Sequence, residues 1–267
     1  MKGSRSVDRQ EKILQLLVSQ KTVSINELAQ ELGVSGWTVR RELNKMEDQQ
    51  IVKRAHGTVT LIEAPGNLSL LMETEIEEEV DPNHEAKQKI GETAVRLLRC
   101  QRHIALGAGS TTTQVAHALQ ACSDIKVMTN GLNIAMTLSR QPGVELICTG
   151  GSVHGSYYTL TGPEAERALR AHFFDVAVIG VSGVAIKEGL TVNSQLNAFT
   201  LRIMVEQSRK IMVVADHSKI EEVRFAQLAP LEVIDWLVTD VRPEPDFCAQ
   251  LQLHGVDLVV SSEVIQA

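Results

Sequence analysis

The sequence predicts two unlike domains: a small winged helix-turn-helix at the N-terminus and a larger α/β domain with a parallel sheet. Three observations predict this. Residues 22–43 hold two capped helical segments on either side of a glycine. From about residue 83 onward, short continuous apolar runs alternate with amphipathic helical segments, the pattern of a parallel sheet covered on both faces. The length, 267 residues, suits two domains that each bury a core. The expected boundaries are 1–62 for the helix-turn-helix domain, 63–82 for an acidic linker and 83–267 for the α/β domain.

The first helix is marked by Ser24 and Glu27. A hydroxyl three residues ahead of a carboxylate can form a capping box, each side chain satisfying a free backbone amide. Ile25, Leu28, Ala29 and Leu32 then follow helical spacing and give one buried face. Gly33 suits the left-handed residue just past a helix end. Ser35 caps the next helix. In it, Val39, Leu43 and Met46 fall at i, i+4 and i+7 and must face the core. Turning about 100° per residue puts Trp37, Arg41, Asn44 and Lys45 opposite, with Thr38 and Arg40 on the flanks. A helix-turn-helix presents such a face to the major groove. Arginine can grip guanine O6 and N7, and asparagine can grip adenine. Lys45 and one arginine are expected on phosphates, which position a protein without reading sequence. Trp37 has a competing role as a core residue packed on the first helix.

Residues 50–62 hold two β-prone runs around His56-Gly57, a hairpin pattern. Lys53, Arg54 and His56 near its tip make a basic wing. Duplex DNA is the expected partner of this domain. Charge agrees: residues 1–62 hold ten Lys/Arg against seven Asp/Glu, or +3, and the chain totals −7, which leaves −10 on residues 63–267. A basic head on an acidic body suits a protein that approaches DNA with one end. Cys100, Cys122, Cys148 and Cys248 form no CxxC pair and no metal-ligand spacing, so they read as buried, reduced thiols in a cytosolic protein. No secretory signal opens the sequence and no apolar run approaches membrane-spanning length. The expectation is a cytoplasmic protein with no metal, cofactor or membrane partner.

Ala64-Pro65-Gly66-Asn67 breaks regular structure. Six of the nine residues from Glu73 to Asp81 are acidic, which reads as a solvated connector. Helices are then expected over 84–99, 112–119, 132–138, 164–171, 198–207 and near 247–253. Strands are expected over 104–106, 127–129, 144–148, 176–179, 211–215, 236–238 and 258–260. Ligands of such sheets sit at the carboxyl ends of the strands.

The candidate ligand residues cluster at those ends. The first strand runs into Gly107-Ala108-Gly109-Ser110-Thr111-Thr112-Thr113 and a helix. Glycines permit close backbone approach, and free amides with hydroxyls at a helix start cradle an anion, most naturally a phosphate. The lysine of a nucleotide P-loop is missing. The competing reading is a tight turn capped by Ser110 or Thr111. Other strand ends carry Asn130, Gly150, Gly151, the loop Gly180-Val181-Ser182-Gly183, Asp216 and Lys219. Lys219 is the candidate cation over a phosphate, with surface pairing to Glu221 or Glu222 as its alternative. Asp216 could accept sugar hydroxyls or cap the next turn. His154 and His217 are minor candidates beside glycine-rich loops; the other histidines show no ligand spacing.

Over essentially its whole length the chain resembles the DeoR family of bacterial transcription regulators. Residues 34–43 look like its helix-turn-helix signature and Arg54-Ala55-His56-Gly57 like its wing. Residues 106–111, Thr129-Asn130, Gly150-Gly151, Gly162-Pro163, Phe174-Asp175, Glu188-Gly189-Leu190-Thr191 and Asp216-His217-Ser218-Lys219 match its sensor domain in order. The resemblance implies a sensor fold like ribose-5-phosphate isomerase, a sugar phosphate or related metabolite as effector, and repression of a carbohydrate operon. Some positions depart from the pattern. Gly107 stands where an acidic residue is frequent. Asn197-Ala198 and Leu201 stand where Glu-Ala and a lysine are common, and Ser182 where an acid is common. These changes suggest a different or less charged effector.

The rival expectation is a sugar-phosphate isomerase-like enzyme. Proton transfer between sugar carbons needs a positioned carboxylate base. The loop 180–183 holds none, and Asn197 is a poor base. A homo-oligomer, dimer or tetramer, is expected to set the spacing of two winged helices on a DNA repeat.

Overall fold

The computed structural model describes residues 9, 12–13, 16–17, 20, 22–48, 52–55, 57–61, 81–98, 101–119, 122–154 and 158–263. The chain divides into two compact units, residues 1–82 and 83–267. The linker expected over 63–82 falls almost wholly outside the described residues.

In the N-terminal unit, β1 (Thr22–Ser24) leads into α1 (Ile25–Glu31), α2 (Gly36–Asp48) and the hairpin β2 (Val52–Ala55) and β3 (Thr58–Leu61). The capping box forms as expected: the Ser24 hydroxyl accepts the Glu27 amide and the Glu27 carboxylate accepts the Ser24 amide. α1 ends in a Schellman motif. Gly33 takes φ +61, its amide donates to the Gln30 carbonyl, and the Val34 amide reaches the Ala29 carbonyl. Leu28, Val39, Leu43 and Met46 are buried with Ile13, Leu17, Val23, Val52 and Val59. Gly57 holds φ +82 at the hairpin tip. The short β1, which pairs with β3, was not expected; three residues carry too little pattern to read.

The larger unit runs α3 (His84–Leu97), β4 (His103–Leu106), α4 (Ser110–Leu119), β5 (Ile125–Thr129), α5 (Leu132–Leu138), β6 (Val144–Cys148), the hairpin β7 (Ser152–His154) and β8 (Thr159–Thr161), and α6 (Pro163–Arg170). It continues with β9 (Val176–Gly180), β10 (Gly183–Ala185), β11 (Gly189–Val192), α7 (Gln195–Glu206), β12 (Ile211–Val214), β13 (Ala226–Ala229), β14 (Trp236–Thr239), α8 (Pro245–Leu253) and β15 (Asp257–Val260). Seven parallel strands lie in the order β15-β14-β12-β9-β4-β5-β6.

Alternate side chains go to opposite faces of each strand. Ile104, Leu106, Val176, Val178, Met212 and Val214 pack under α3, α4 and α5. Ala105, Ala177, Ile179, Ile211 and Val213 pack on the other side with Leu169, Ala198, Leu201, Phe247 and Leu251 from α6, α7 and α8. The strand order reverses between β4 and β9, and the crevice beyond their carboxyl ends is where such sheets take ligands. The antiparallel sheet β10-β11-β13 and the β7–β8 hairpin were not expected. Their strands are three or four residues long and, apart from β13, begin at or border a glycine, which reads as turn.

The buried-thiol expectation fails. Cys148 is exposed and Cys122 and Cys248 are half-buried; Cys148 ends β6, the edge strand, and has no neighbour on its outer side. That edge is open among the described strands only, and Cys100 lies outside the described residues. No described helix is long and apolar enough to cross a membrane.

Candidate DNA-binding face and effector site

α2 opens on Ser35, whose hydroxyl accepts the Thr38 amide at 3.3 Å and lies 3.0 Å from the Thr38 hydroxyl. Both side chains therefore serve the cap. Trp37 is 69% exposed, which removes its core alternative. The Arg41 guanidinium lies over the Trp37 ring, 5.5 Å from its centroid, a cation–π contact. Arg40, Asn44 and Lys45 are exposed on the same helix. Glu42, which the residue pattern alone does not single out, is buried among cations: nitrogens of Arg9, Arg41 and Lys45 lie 3.1, 3.5 and 3.2 Å from its carboxylate.

On the wing Lys53 is exposed. Arg54 is turned back onto Glu47, with its Nε donating at 2.9 Å. That bond holds the Glu47 carboxyl below the usual carboxylate range. Arg54 is thus committed to the joint between α2 and the hairpin. His56 lies outside the described residues.

In the larger unit, the turn after β4 is fixed from behind. The Gly107 amide donates to the Val178 carbonyl at 2.9 Å, and the Ala108 amide to Asn130 Oδ1 at 2.8 Å. Asn130 also donates from Nδ2 to the Leu160 carbonyl at 3.3 Å. Asn130 is wholly buried, so it clamps the turn to β8 and has no face left for a ligand. α4 begins at Ser110, not at Thr112 as expected. The early start follows from side chains: the Thr112 and Thr113 hydroxyls donate back to the Gly109 carbonyl at 2.9 and 2.8 Å. Thr111 and Thr112 are both buried, and the Thr112 hydroxyl is occupied by the Gly109 carbonyl. Gly109 and Ser110 remain half-exposed, with the first amides of α4, which have no carbonyl behind them in the helix.

The residue missed here is Lys87. α3 crosses α4 closely, because a Cβ on Gly91 would sit 2.6 Å from the Gln114 backbone. One turn before Gly91 on α3 is Lys87; one turn before Gln114 on α4 is Ser110. The crossing brings these together, with Lys87 Nζ 3.0 Å from Ser110 Oγ. Lys87 is 6% exposed, and the wholly buried Asp216 lies 3.8 Å from its Nζ. Asp216 Oδ1 accepts from Asn83 Nδ2 at 3.1 Å and from the Ser218 amide at 3.0 Å, while Oδ2 has no hydrogen-bond partner among the described residues. Gly91 beside a lysine four residues earlier was the readable signal, but only the helix crossing gives it meaning.

The remaining expected residues are spread around this centre. Gly150 and Gly151 take φ +70 and +110 at the entry to β7. A Cβ on Gly151 would lie 2.5 Å from the Thr161 carbonyl oxygen, so hairpin packing requires this glycine. Asn197 is in the first turn of α7, with its Oδ1 buried and without a hydrogen-bond partner among the described residues. Lys219 closes a 3-10 turn over 217–219 and is half-buried. It forms no ion pair with Glu221 or Glu222 among the described residues; Glu222 holds Arg224 at 3.2 Å. His217 is tied by its amide and Nδ1 to Asp240, both at 2.7 Å, and His154 is exposed on β7. A Cβ on Gly107 would lie 2.8 Å from Leu201 Cδ2. The two departures at 107 and 201 are therefore one buried apolar contact.

A helix-turn-helix unit with an outward cationic helix, joined to an α/β unit with glycine-rich and polar turns at the carboxyl ends of its strands, makes a DNA-binding regulator with a sensing domain. Comparison with known proteins agrees. The DeoR-like helix-turn-helix domain matches residues 9–64 and the DeoR C terminal sensor domain matches residues 82–241. The HTH-type transcriptional repressor GlcR of Bacillus subtilis is 32% identical over 94% of this chain and 95% of its own. The HTH-type transcriptional regulator GlpR of Haloferax volcanii is 30% identical over 94% of this chain and 96% of its own. The glycerol-3-phosphate regulon repressor of Escherichia coli is 26% identical over 95% and 98%. The chain belongs to the DeoR family. A ribose 5-phosphate isomerase from Methanocaldococcus jannaschii aligns over 52% of this chain and 55% of its own, with a TM-score of 0.39 and 17% identity. That likeness is too slight to bear on activity.

Proposed function

We propose that this protein represses a carbohydrate-utilisation operon and is controlled by a small phosphorylated sugar or related metabolite. The effector's anionic end sits at the Gly109-Ser110 start of α4, at the carboxyl ends of β4, β9 and β12. The observation that carries this reading is Lys87, an almost buried ammonium 3.0 Å from Ser110 Oγ beside open helix-start amides. Amides at a helix start and a desolvated cation both favour an anion. Lys219 adds a second cation from the next strand end. The apolar Gly107–Leu201 contact and the uncharged Ser182 and Asn197 suit an effector with little charge away from its anionic end. One relative's name, a glycerol-3-phosphate regulon repressor, is consistent with a phosphorylated ligand. Binding shifts the spacing of the helix-turn-helix units in a homo-oligomer. A coupling of about 1–3 kcal/mol changes operator affinity roughly 5- to 150-fold.

Calorimetry with a panel of sugar phosphates tests this on the intact chain. One panel member binds the wild type, Gly109→Val blocks it, and Lys219→Ala weakens phosphorylated compounds more than their dephosphorylated forms. Full affinity in both variants moves the site elsewhere. Isomerase turnover on pentose or hexose phosphates, abolished by Gly109→Val, would replace the regulator reading with an enzymatic one.

A further inference from the structure

We propose that Glu42 is a positioning residue for DNA recognition, whose carboxylate presets Arg41 and Lys45 and so sets the protein's preference for one sequence over bulk duplex. The inference rests on the reading that Arg41 and Lys45 face DNA. Glu42 leaves 1% of its side chain exposed, although it stands on α2 between two outward cations. A lone buried carboxylate is costly, and it persists where cations offset it. Among the described residues three cations supply that offset. Oε1 takes Arg9 at 3.1 Å and Arg41 at 3.5 Å, and Oε2 takes Lys45 at 3.2 Å. Arg41 is held from a second side by the Trp37 ring.

The arrangement treats two kinds of DNA contact differently. A guanidinium has five N–H donors in a fixed fork, so an edge resting on Glu42 leaves others for a base. A guanine edge can then be met without breaking the pair. A random duplex offers mainly phosphates, and each phosphate competes with the Glu42 carboxylate for the same cations. The carboxylate therefore weakens indiscriminate binding more than cognate binding, which is specificity by penalising the wrong partner.

The test uses the full-length chain with two probes: a random-sequence 30-bp duplex pool, and the duplex enriched from that pool by repeated binding to wild type. Glu42→Gln binds the pool more tightly and steepens its salt dependence by about 0.9 for each further phosphate that a released cation neutralises. The enriched-to-pool affinity ratio falls roughly five- to tenfold, the low end of what one bidentate base contact contributes. Arg9 meets the same carboxylate but is not on α2, so Arg9→Gln lowers thermal stability and keeps the ratio. Glu42→Asp keeps the charge and recovers part of the ratio; it carries the test if Glu42→Gln does not fold. A wild-type ratio and salt slope in Glu42→Gln overturn the inference, as does an equal loss of ratio in Arg9→Gln, which marks Glu42 as structural only. Arg41→Ala separates the two readings. If it binds both probes like wild type, the DNA-face assignment has failed; if it loses the enriched duplex while Glu42→Gln keeps the wild-type ratio, only the role of Glu42 has failed.

Discussion

The two units handle polar side chains in opposite ways. On α2, Arg41 and Lys45 leave 52% and 49% of their side chains exposed. At the strand ends of the larger unit, Asn130, Thr112 and Asp216 are wholly buried. The head displays its chemistry on the outside of a helix whose period sets every direction in advance. The body folds most of its polar groups into one another and leaves a few, Gly109, Ser110 and Lys219 among them, at the rim. A polar residue type on α2 is thus a good guide to exposure in the head. In the body it is as often a guide to architecture.

This contrast can be broken at several points, the largest first. Leu43→Ala empties a position in the small head core, alongside Leu28 and Val39, and costs about 2–5 kcal/mol. Calorimetry should show the head melting early with DNA binding lost, while the body keeps its own transition. A matching drop in the body's transition would mean that the two units are one cooperative block.

The next is packing at the crevice. Gly107→Ala pushes a methyl onto Leu201 and costs the body about 1–3 kcal/mol. In a Leu201→Ala background the same change costs less, because the colliding methyl is gone. Strict additivity in a urea double-mutant cycle would dissolve the claim that the two departures are a single contact.

A smaller effect depends on pH. Asp175 is partly desolvated, which raises its pKa, but hydrogen bonds from the His103 and Arg102 amides and the His103 ring outweigh this and hold it below the usual value. A depressed folded-state pKa stabilises the protein above the unfolded value, near about 3.9, and that stability is lost as pH falls through the folded one. Asp175→Asn should therefore cost about 1 kcal/mol at neutral pH. Its deficit against wild type should shrink as the pH falls below 4. A deficit constant down to pH 2 would show that charge plays no part.

The smallest is Arg54→Ala. Its pair with Glu47 is half-exposed, so removal costs about 0.2–1 kcal/mol and less in high salt. Because Arg54 is turned inward, DNA binding should lose less salt dependence than in Lys53→Ala. An equal loss in both would mean that Arg54 swings out to the duplex.

These contrasts also explain what could be read from the residues alone. The capping box, Gly33, the core face of α2 and the outward Trp37-Arg41 pair are local, set by caps and a period of 3.6. The alternation of apolar runs and helices points to the parallel sheet for the same reason. The glycine turn at 107–109 is legible as a strand-to-helix cradle. The cation beside it is not, because Lys87 reaches Ser110 through a helix crossing at Gly91. Thr112 and Asn130 look like ligand donors by type and position. Which groups they satisfy is decided by tertiary packing, to which a linear pattern is blind. Glu42 escapes notice because an acidic residue between two outward cations on a helix reads as solvated filler.

A chain leaving the ribosome delivers β4, β5 and β6 in the order in which they lie side by side, so residues 103–148 can pair as they emerge. β9 comes later and must return past that finished wing to β4. β12, β14 and β15 then add outward, each beside the last. Within the sheet, the one distant closure is the β4–β9 ladder, and distant closures are what slow assembly. In a series of stalled nascent chains, protection should spread over 103–148 first and reach 176–180 only as a second step. The seam that joins the late strands to the early ones is also the seam after whose strand β4 Gly109 lies, so changes that alter the turn at 107–109 also act on the step that unites the two halves of the sheet.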